Sequence, residues 1–320
     1  MPRTLFVGHS LVNTTMPQML NKLYGDTNNH ADYHVVNGAS LEYSWEHAWG
    51  AEGVNARQVL PTGRYDNVIL TEQIPTSGSL ASHFNTLGTK QDALRFANLA
   101  WNADPDTRVM VYETWGYMGN QATWRANLTR DHAAWQGIAD FLSARNPSGS
   151  PDVKVVPAGQ AMAELYDTIK AGHGAGFDSI RELFSDNIHV NDTGNYFVAL
   201  VQYAATTGDS PVGLSATVQK PWAGGPYSGW TPVQAALLQH IAWEAVAAEG
   251  LRLEAGTIRP VVRIGGDAAN ALTGRDGDDR FHSGGGADRI EGAGGRDLAF
   301  GGHGNDVLLG QSGNDWLVGE

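Results

Sequence analysis

The sequence predicts an α/β protein, a parallel sheet covered by helices on both faces, followed by a small repetitive β tail. Three observations predict it. Over residues 1–210, short β-branched runs alternate with stretches of helical spacing. At Gly265 a nine-residue period takes over. The 320 residues are 42% hydrophobic with no apolar run long enough to span a bilayer, which suits one full-sized core and a smaller second unit. The formal net charge of −13 argues against a nucleic-acid partner, whose phosphates demand Lys and Arg. The absence of cysteine excludes disulfides and thiolate chemistry. Nothing in the composition specifies an oligomeric state.

Strand-like runs lie at 5–7, 34–36, 68–70, 109–112 and 153–156, with helical spacing at 16–24, 93–101, 124–142 and 162–169. Short strands alternating with helices imply a parallel sheet, buried on both faces. In such sheets the ligand lies beyond the carboxyl ends of the strands. That rule selects Ser10, Asn37 with Gly38, Glu72 with Gln73, and Glu113, Thr114 and Trp115. Ser10 alone serves equally well as a helix cap. A general base comes from "LFSDNIHVNDTG", in which Asp186 precedes His189 by three residues across a turn. A carboxylate there accepts from the imidazole Nδ1–H and leaves Nε2 to face a serine. Asp192 is expected to cap the helix that follows, and is a competing partner for the histidine. His9, His34 and His47 carry no partner signal and read as structural or surface residues.

Gly8-His9-Ser10-Leu11 resembles the first block of the GDSL or SGNH hydrolases, with His9 where that family has Asp. Gly38 after Asn37 resembles the second block, and Asp186-Asn187-Ile188-His189 the last. The stretches "DNVILTEQ", "VYETWG" and "VVPAGQAM" are similar to a bacterial subgroup whose third block reads Glu-Gln instead of Gly-x-Asn-Asp. The resemblance covers most of residues 3–207. It implies a flavodoxin-like three-layer fold and a Ser-His-Asp esterase site: Ser10 as nucleophile, His189 as base and acid, Asp186 as its partner. It also implies an oxyanion hole from the N–H groups of Ser10 and Gly38 plus a side-chain amide. The family's Asn is missing, so Gln73 is expected in that place, with Glu72 orienting it or contacting substrate. One such donor is worth about 3 kcal/mol.

Ten tryptophans are present. Trp45 and Trp49 follow the oxyanion loop and Trp115 ends the fourth strand, where aromatic faces would stack on a sugar or acyl group; Glu113 is expected beside them. Trp222 and Trp230 lie in a Gly/Pro-rich loop before a helix over 231–249. Trp101, Trp124, Trp135 and Trp243 fall within helix patterns and read as core. For any single tryptophan, plain packing is the competing explanation.

From Gly265 the chain reads as nonapeptides: "GGDAANALT", "GRDGDDRFH", "SGGGADRIE", "GAGGRDLAF", "GGHGNDVLL" and "GQSGNDWLV". Position six is Asn270, then Asp279, Asp288, Asp297, Asp306 and Asp315, and position eight is always apolar. This pattern resembles the RTX repeats. Glycines permit the turns, position eight fills a thin core, and each Asp joins backbone carbonyls in an oxygen cage for Ca²⁺. With two repeats per roll turn, Asp279, Asp297 and Asp315 should line one side and Asp288 and Asp306 the other.

The expected organisation is therefore an SGNH-type domain over 1–210, an aromatic loop and helix over 211–264 that joins or completes it, and a calcium-binding β-roll over 265–320. The leading function is a secreted, calcium-stabilised serine esterase on an ester substrate such as an O-acetylated polysaccharide, with no membrane span. Type I secretion fits, since a strand starts almost at the N-terminus without a signal peptide. The array runs on to Glu320 with no trailing secretion segment, as in a piece of something longer. Competing readings are a lipase or esterase for acyl chains, and a catalytically impaired calcium-dependent carbohydrate-binding or adhesive module.

Overall fold

The computed structural model describes residues 2–25, 30–73, 87–221, 224–251 and 260–319. Trp222, one of the loop tryptophans singled out from the sequence, lies outside them. Among the described residues the main sheet has six strands in the order β3-β2-β1-β4-β5-β6. These are β1 (Thr4–Gly8), β2 (Ala31–Val35), β3 (Glu52–Gly53), β4 (Asn67–Leu70), β5 (Arg108–Tyr112) and β6 (Lys154–Val156). All pair in parallel except β3, a two-residue antiparallel edge on β2 that has no periodic signal in the sequence. Every residue of β1 and β4 is buried, as expected of strands covered on both faces.

The strand order reverses direction at β1. Right-handed crossovers then send the β1–β2 helix to one face and the later crossover helices to the other. The first is α1 (Thr15–Leu23); α4 (Leu87–Ala103) and α5 (Gln121–Ser143) follow β4 and β5. Short helices α2 (Leu41–Glu46) and α3 (Ala56–Val59) flank β3, and α6 (Ala158–Lys170) follows β6. Gly8 ends β1 because a Cβ there would stand 2.3 Å from Thr71 Cγ2 at the end of β4.

Helix α7 (Asp192–Thr207) is apolar nearly all round, with residues 193–206 buried. It needs cover on two sides. It has it from α1 and from α8 (Pro232–Ala248), which begins with Pro at its first turn and a Thr231/Gln234 capping box. The helix start departs from the sequence expectation. Asn191, not Asp192, caps α7, its side chain accepting from Thr193 N and Gly194 N, and Asp192 becomes the first helical residue. Asp192 pairs loosely with Lys220 at 3.7 Å. Trp101, Trp124, Trp135 and Trp243 are all buried. Trp230 lies flat on Tyr196, centroids 4.5 Å apart, and donates to Ala216 O.

The tail is a parallel β-roll of two facing sheets. One holds β8 (Ala271–Thr273), β10 (Arg289–Glu291) and β12 (Val307–Leu309). The other holds β7 (Val262–Ile264), β9 (Arg280–His282), β11 (Leu298–Phe300) and β13 (Trp316–Val318). Paired residues such as Ile290 and Leu308 are two nonapeptides apart. Position-eight residues Phe281, Ile290 and Ala299 form the thin core, with Leu272 and Leu308 against it. In the last four nonapeptides position two adopts a left-handed backbone, supplied by Gly284 and Gly302 (φ 91° and 72°) but forced on Ala293 (φ 79°) and Gln311 (φ 66°).

The roll docks on the α/β part in a way its repeat pattern does not announce. Arg280, 1% exposed, reaches Glu244 on α8 with Nε and Nη2 (2.9 and 2.7 Å), and Glu164 and Thr168 on α6 (2.8 and 3.2 Å). Arg296 donates to Val212 O at 2.7 Å, and Leu298 joins the main core.

Candidate active site

The end of β1, the β2–α2 loop and the end of β4 converge where the strand order reverses. A cleft of about 680 Å³ opens there, lined by His9, Ser10, Leu11, Asn13, Asn37, Gly38, Gln73, Tyr117, Ile188 and His189. His189 Nε2 lies 3.1 Å from Ser10 Oγ, and Nδ1 lies 2.7 Å from Asp186 Oδ2. The other carboxylate oxygen, Oδ1, accepts from the N–H groups of Ile188 and His189, both at 2.7 Å. Desolvation pushes the Asp186 pKa up. The His189 ring and the two N–H groups outweigh it and hold that pKa at about 2. A carboxylate charged at every ordinary pH fixes the histidine tautomer with its proton on Nδ1, leaving Nε2 to accept from the serine.

The loop carrying Asp186 and His189 is anchored from several sides. A bridge pairs Phe184 with Val190, and Ser185 donates to His189 O from both backbone and hydroxyl. Arg181 donates to Asn187 Oδ1 at 2.8 Å and to Asp186 O at 3.3 Å. Trp115, buried completely, donates Nε1–H to Ile188 O at 2.7 Å.

The N–H groups of Ser10 and Gly38 find no acceptor among the described residues, and both residues line the cleft. Gly38 has φ +68°, a left-handed turn closed by Ala39 N donating to Val36 O. Gln73 also lines the cleft, and its side-chain amide makes no hydrogen bond among the described residues. The Asn37 amide is engaged, donating to Glu52 Oε1 at 3.1 Å. His9 is buried. Its Nε2 bonds Glu72 O at 2.8 Å, Nδ1 accepts weakly from Leu11 N, and burial drives its pKa down to about 4. It is thus a neutral clamp beneath the Ser10 turn, in keeping with a structural histidine.

Five residues expected to touch substrate are not in the cleft lining. Glu72 and Glu113 are 2% and 1% exposed, and Trp115 is sealed beneath the histidine loop. Glu113 turns back to Gln160 Nε2 (2.8 Å) and His132 Nδ1 (3.3 Å), because strand ends alternate side chains between cleft and interior. Trp45 is wedged between the guanidiniums of Arg57 and Arg95, 4.9 and 4.7 Å from its ring, with its edge contact to Phe96 behind. Trp49 is free in solvent, 79% exposed, but is not among the cleft residues. The aromatic ring in the cleft is Tyr117, half exposed and two residues beyond Trp115. In the sequence Tyr117 carries the same signal as Trp115, an aromatic residue in the loop after β5.

In the roll, the position-six carboxylates repeat one interaction with a two-nonapeptide step. Asp279, Asp288, Asp297, Asp306 and Asp315 each accept, through Oδ1, the N–H of the residue eighteen positions earlier. Asp279, Asp297 and Asp315 lead into one sheet and Asp288 and Asp306 into the other. Asp288 Oδ2 and Asp297 Oδ2 are buried with no hydrogen-bond partner. Burial, with Asp279 and Asp315 nearby, pushes the Asp297 pKa up to about 7. Orphaned carboxylate oxygens stacked in this way fit a hard divalent cation.

The family model for the RTX calcium-binding nonapeptide repeat matches residues 264–299 and 291–320. The tail is an RTX calcium-binding array. No curated protein matches the chain. Among solved structures, a DUF4886 family protein from Bacteroides uniformis shares the fold, with 16% identity over 78% of this chain and 96% of its own, at a TM-score of 0.54. A putative GDSL-like lipase from Parabacteroides merdae aligns with 12% identity over 64% of this chain and 94% of its own (TM-score 0.42). A carbohydrate esterase family 3 protein from Talaromyces cellulolyticus aligns with 15% identity over 63% and 95% (TM-score 0.39). The RTX array thus follows an α/β part with a central, mostly parallel sheet between helices, the fold it shares with the DUF4886 family protein.

Proposed function

We propose that the chain is a secreted serine esterase that cleaves an ester by covalent catalysis, with an O-acetyl group on a carbohydrate as the favoured substrate. The observation that carries this reading is the line from Ser10 Oγ to His189 Nε2 to Asp186, 3.1 and 2.7 Å, with Ser10 and His189 lining an open cleft. Ser10 Oγ attacks the carbonyl carbon as its proton passes to His189 Nε2. The imidazolium, stabilised by Asp186, gives that proton to the departing alkoxide and leaves an acyl-serine. Water, deprotonated by His189, then releases the acid and restores Ser10. The free N–H groups of Ser10 and Gly38 and the Gln73 amide receive the charge that develops on the carbonyl oxygen. Tyr117 offers a ring face at the cleft for the alcohol portion, which suits a sugar.

In the tail, Asp279, Asp288, Asp297, Asp306 and Asp315 would hold calcium together with glycine-loop carbonyls, neutralising carboxylates that otherwise repel across each turn. An array of this kind is suited to the calcium-rich exterior, which is the reason for assigning the protein there.

Hydrolysis of p-nitrophenyl acetate and acetate release from acetylated polysaccharides test the reading. Ser10→Ala and His189→Ala should each lose essentially all turnover, and Asp186→Asn should lose orders of magnitude. Appreciable turnover by Ser10→Ala would sink it.

A further inference from the structure

Glu72 lies two residues beyond strand β4, at the point where three loops of the proposed active site meet, and it bonds to all three. Its backbone oxygen accepts from His9 Nε2 at 2.8 Å, next to Ser10. Its carboxylate Oε1 accepts from Leu41 N at 3.1 Å, three residues after Gly38, and from Gln73 N at 2.7 Å. The residue is 2% exposed, so a bound ester does not reach it.

We propose that Glu72 is a positioning residue of the hydrolase, resting on the Ser10 esterase reading above: one carboxylate oxygen sets the spacing between the two arms of the oxyanion hole. Because Leu41 N and Gln73 N share a single acceptor, they can stand no farther apart than the two hydrogen-bond lengths together. The Gly38 loop has little else to fix it at this end. Its turn is closed by one bond, Ala39 N to Val36 O, and the Asn37 amide points to Glu52. The Glu72 carbonyl ties the same node to the nucleophile turn through His9. An oxyanion hole acts only when its donors stand at hydrogen-bond distance from the developing charge, and a misplacement of about 1 Å costs up to about a hundredfold in rate.

The test compares Glu72→Gln, Glu72→Asp and Glu72→Ala on p-nitrophenyl acetate, with thermal melts to show that each folds and Ser10→Ala in parallel. Glu72→Gln keeps an oxygen at the shared position and should hold kcat within about threefold of the parent. Glu72→Asp keeps the carboxyl group but is one methylene too short to reach both N–H groups. It should lose kcat on the order of 10- to 100-fold with KM within about twofold, and Glu72→Ala at least as much. Should Glu72→Ala not fold, the contrast between Asp and Gln carries the test. Parental kcat in Glu72→Asp, or a loss in Glu72→Gln equal to that in Glu72→Asp, overturns the inference. If Ser10→Ala hydrolyses as fast as the parent, the esterase reading fails and takes the inference with it. An inert Ser10→Ala beside a fully active Glu72→Asp brings down the inference alone.

Discussion

Replacing Arg280 with Met should destabilise the protein by about 3–5 kcal/mol, although the residue lies far along the chain from the α/β core. Its guanidinium is 1% exposed and holds Glu244 with two hydrogen bonds of 2.9 and 2.7 Å. It also holds Glu164 at 2.8 Å, but that carboxylate is 46% exposed, so its pair is worth at most about 1 kcal/mol. Glu244, only 12% exposed, decides the magnitude. Burial pushes its pKa up and Arg280 pulls it back, so removal of the cation leaves a buried carboxylate with no counter-charge. The double variant Arg280→Met/Glu244→Met replaces the pair with apolar volume and should return to within about 1 kcal/mol of the parent. Urea denaturation in calcium-saturated buffer, followed by tryptophan fluorescence, measures each corner of the cycle. Hydrogen exchange over 260–319 reports whether the roll has come undocked. A single-variant cost below about 1 kcal/mol, or a double variant worse than the single, would refute the reasoning.

Gln73→Ala should lower kcat by about a hundredfold with little change in KM, and parental kcat would move the third oxyanion donor elsewhere. Calcium chelation should abolish protease resistance after Gly265. It should also lower the melting midpoint of the α/β part, because the Arg280–Glu244 pair goes with the roll; an unmoved midpoint in circular dichroism would count against the docking. Ala293→Gly relieves a left-handed alanine, φ 79°, and should stabilise the calcium-loaded roll by about 0.5–1 kcal/mol, so a loss of stability would contradict the strain. Burial raises the Glu72 pKa from 4.5 to about 7, so the folded state favours the protonated acid. Its contribution relative to Glu72→Gln is full below pH 4.5 and falls by about 3 kcal/mol as the pH rises to 7. Denaturation of the two proteins across that window checks the sign, and a pH-independent difference would refute it.

Local periodicity and chain order were enough to place much of the fold. The runs at 5–7, 68–70 and 109–112 became β1, β4 and β5, because a strand buried on both faces must be apolar at every position. The nine-residue phase placed Asp279, Asp297 and Asp315 before one sheet and Asp288 and Asp306 before the other, since alternate repeats must face alternate sides of a roll. The spacing of Asp186 and His189 likewise put carboxylate and imidazole within 2.7 Å across a single turn. Which way side chains point where strands end was settled by packing between distant elements. Glu72, Glu113 and Trp115 sit in the right loops for substrate contact yet turn into the protein, while Tyr117 and Gln73 face the cleft. Docking of the roll through Arg280 was equally hidden, because its partners Glu164 and Glu244 come from two helices more than 35 positions earlier. Periodicity is set by neighbours along the chain and can be read from them. The direction of a side chain at a strand end, and the partner of a buried charge, depend on elements that meet only when the chain has folded.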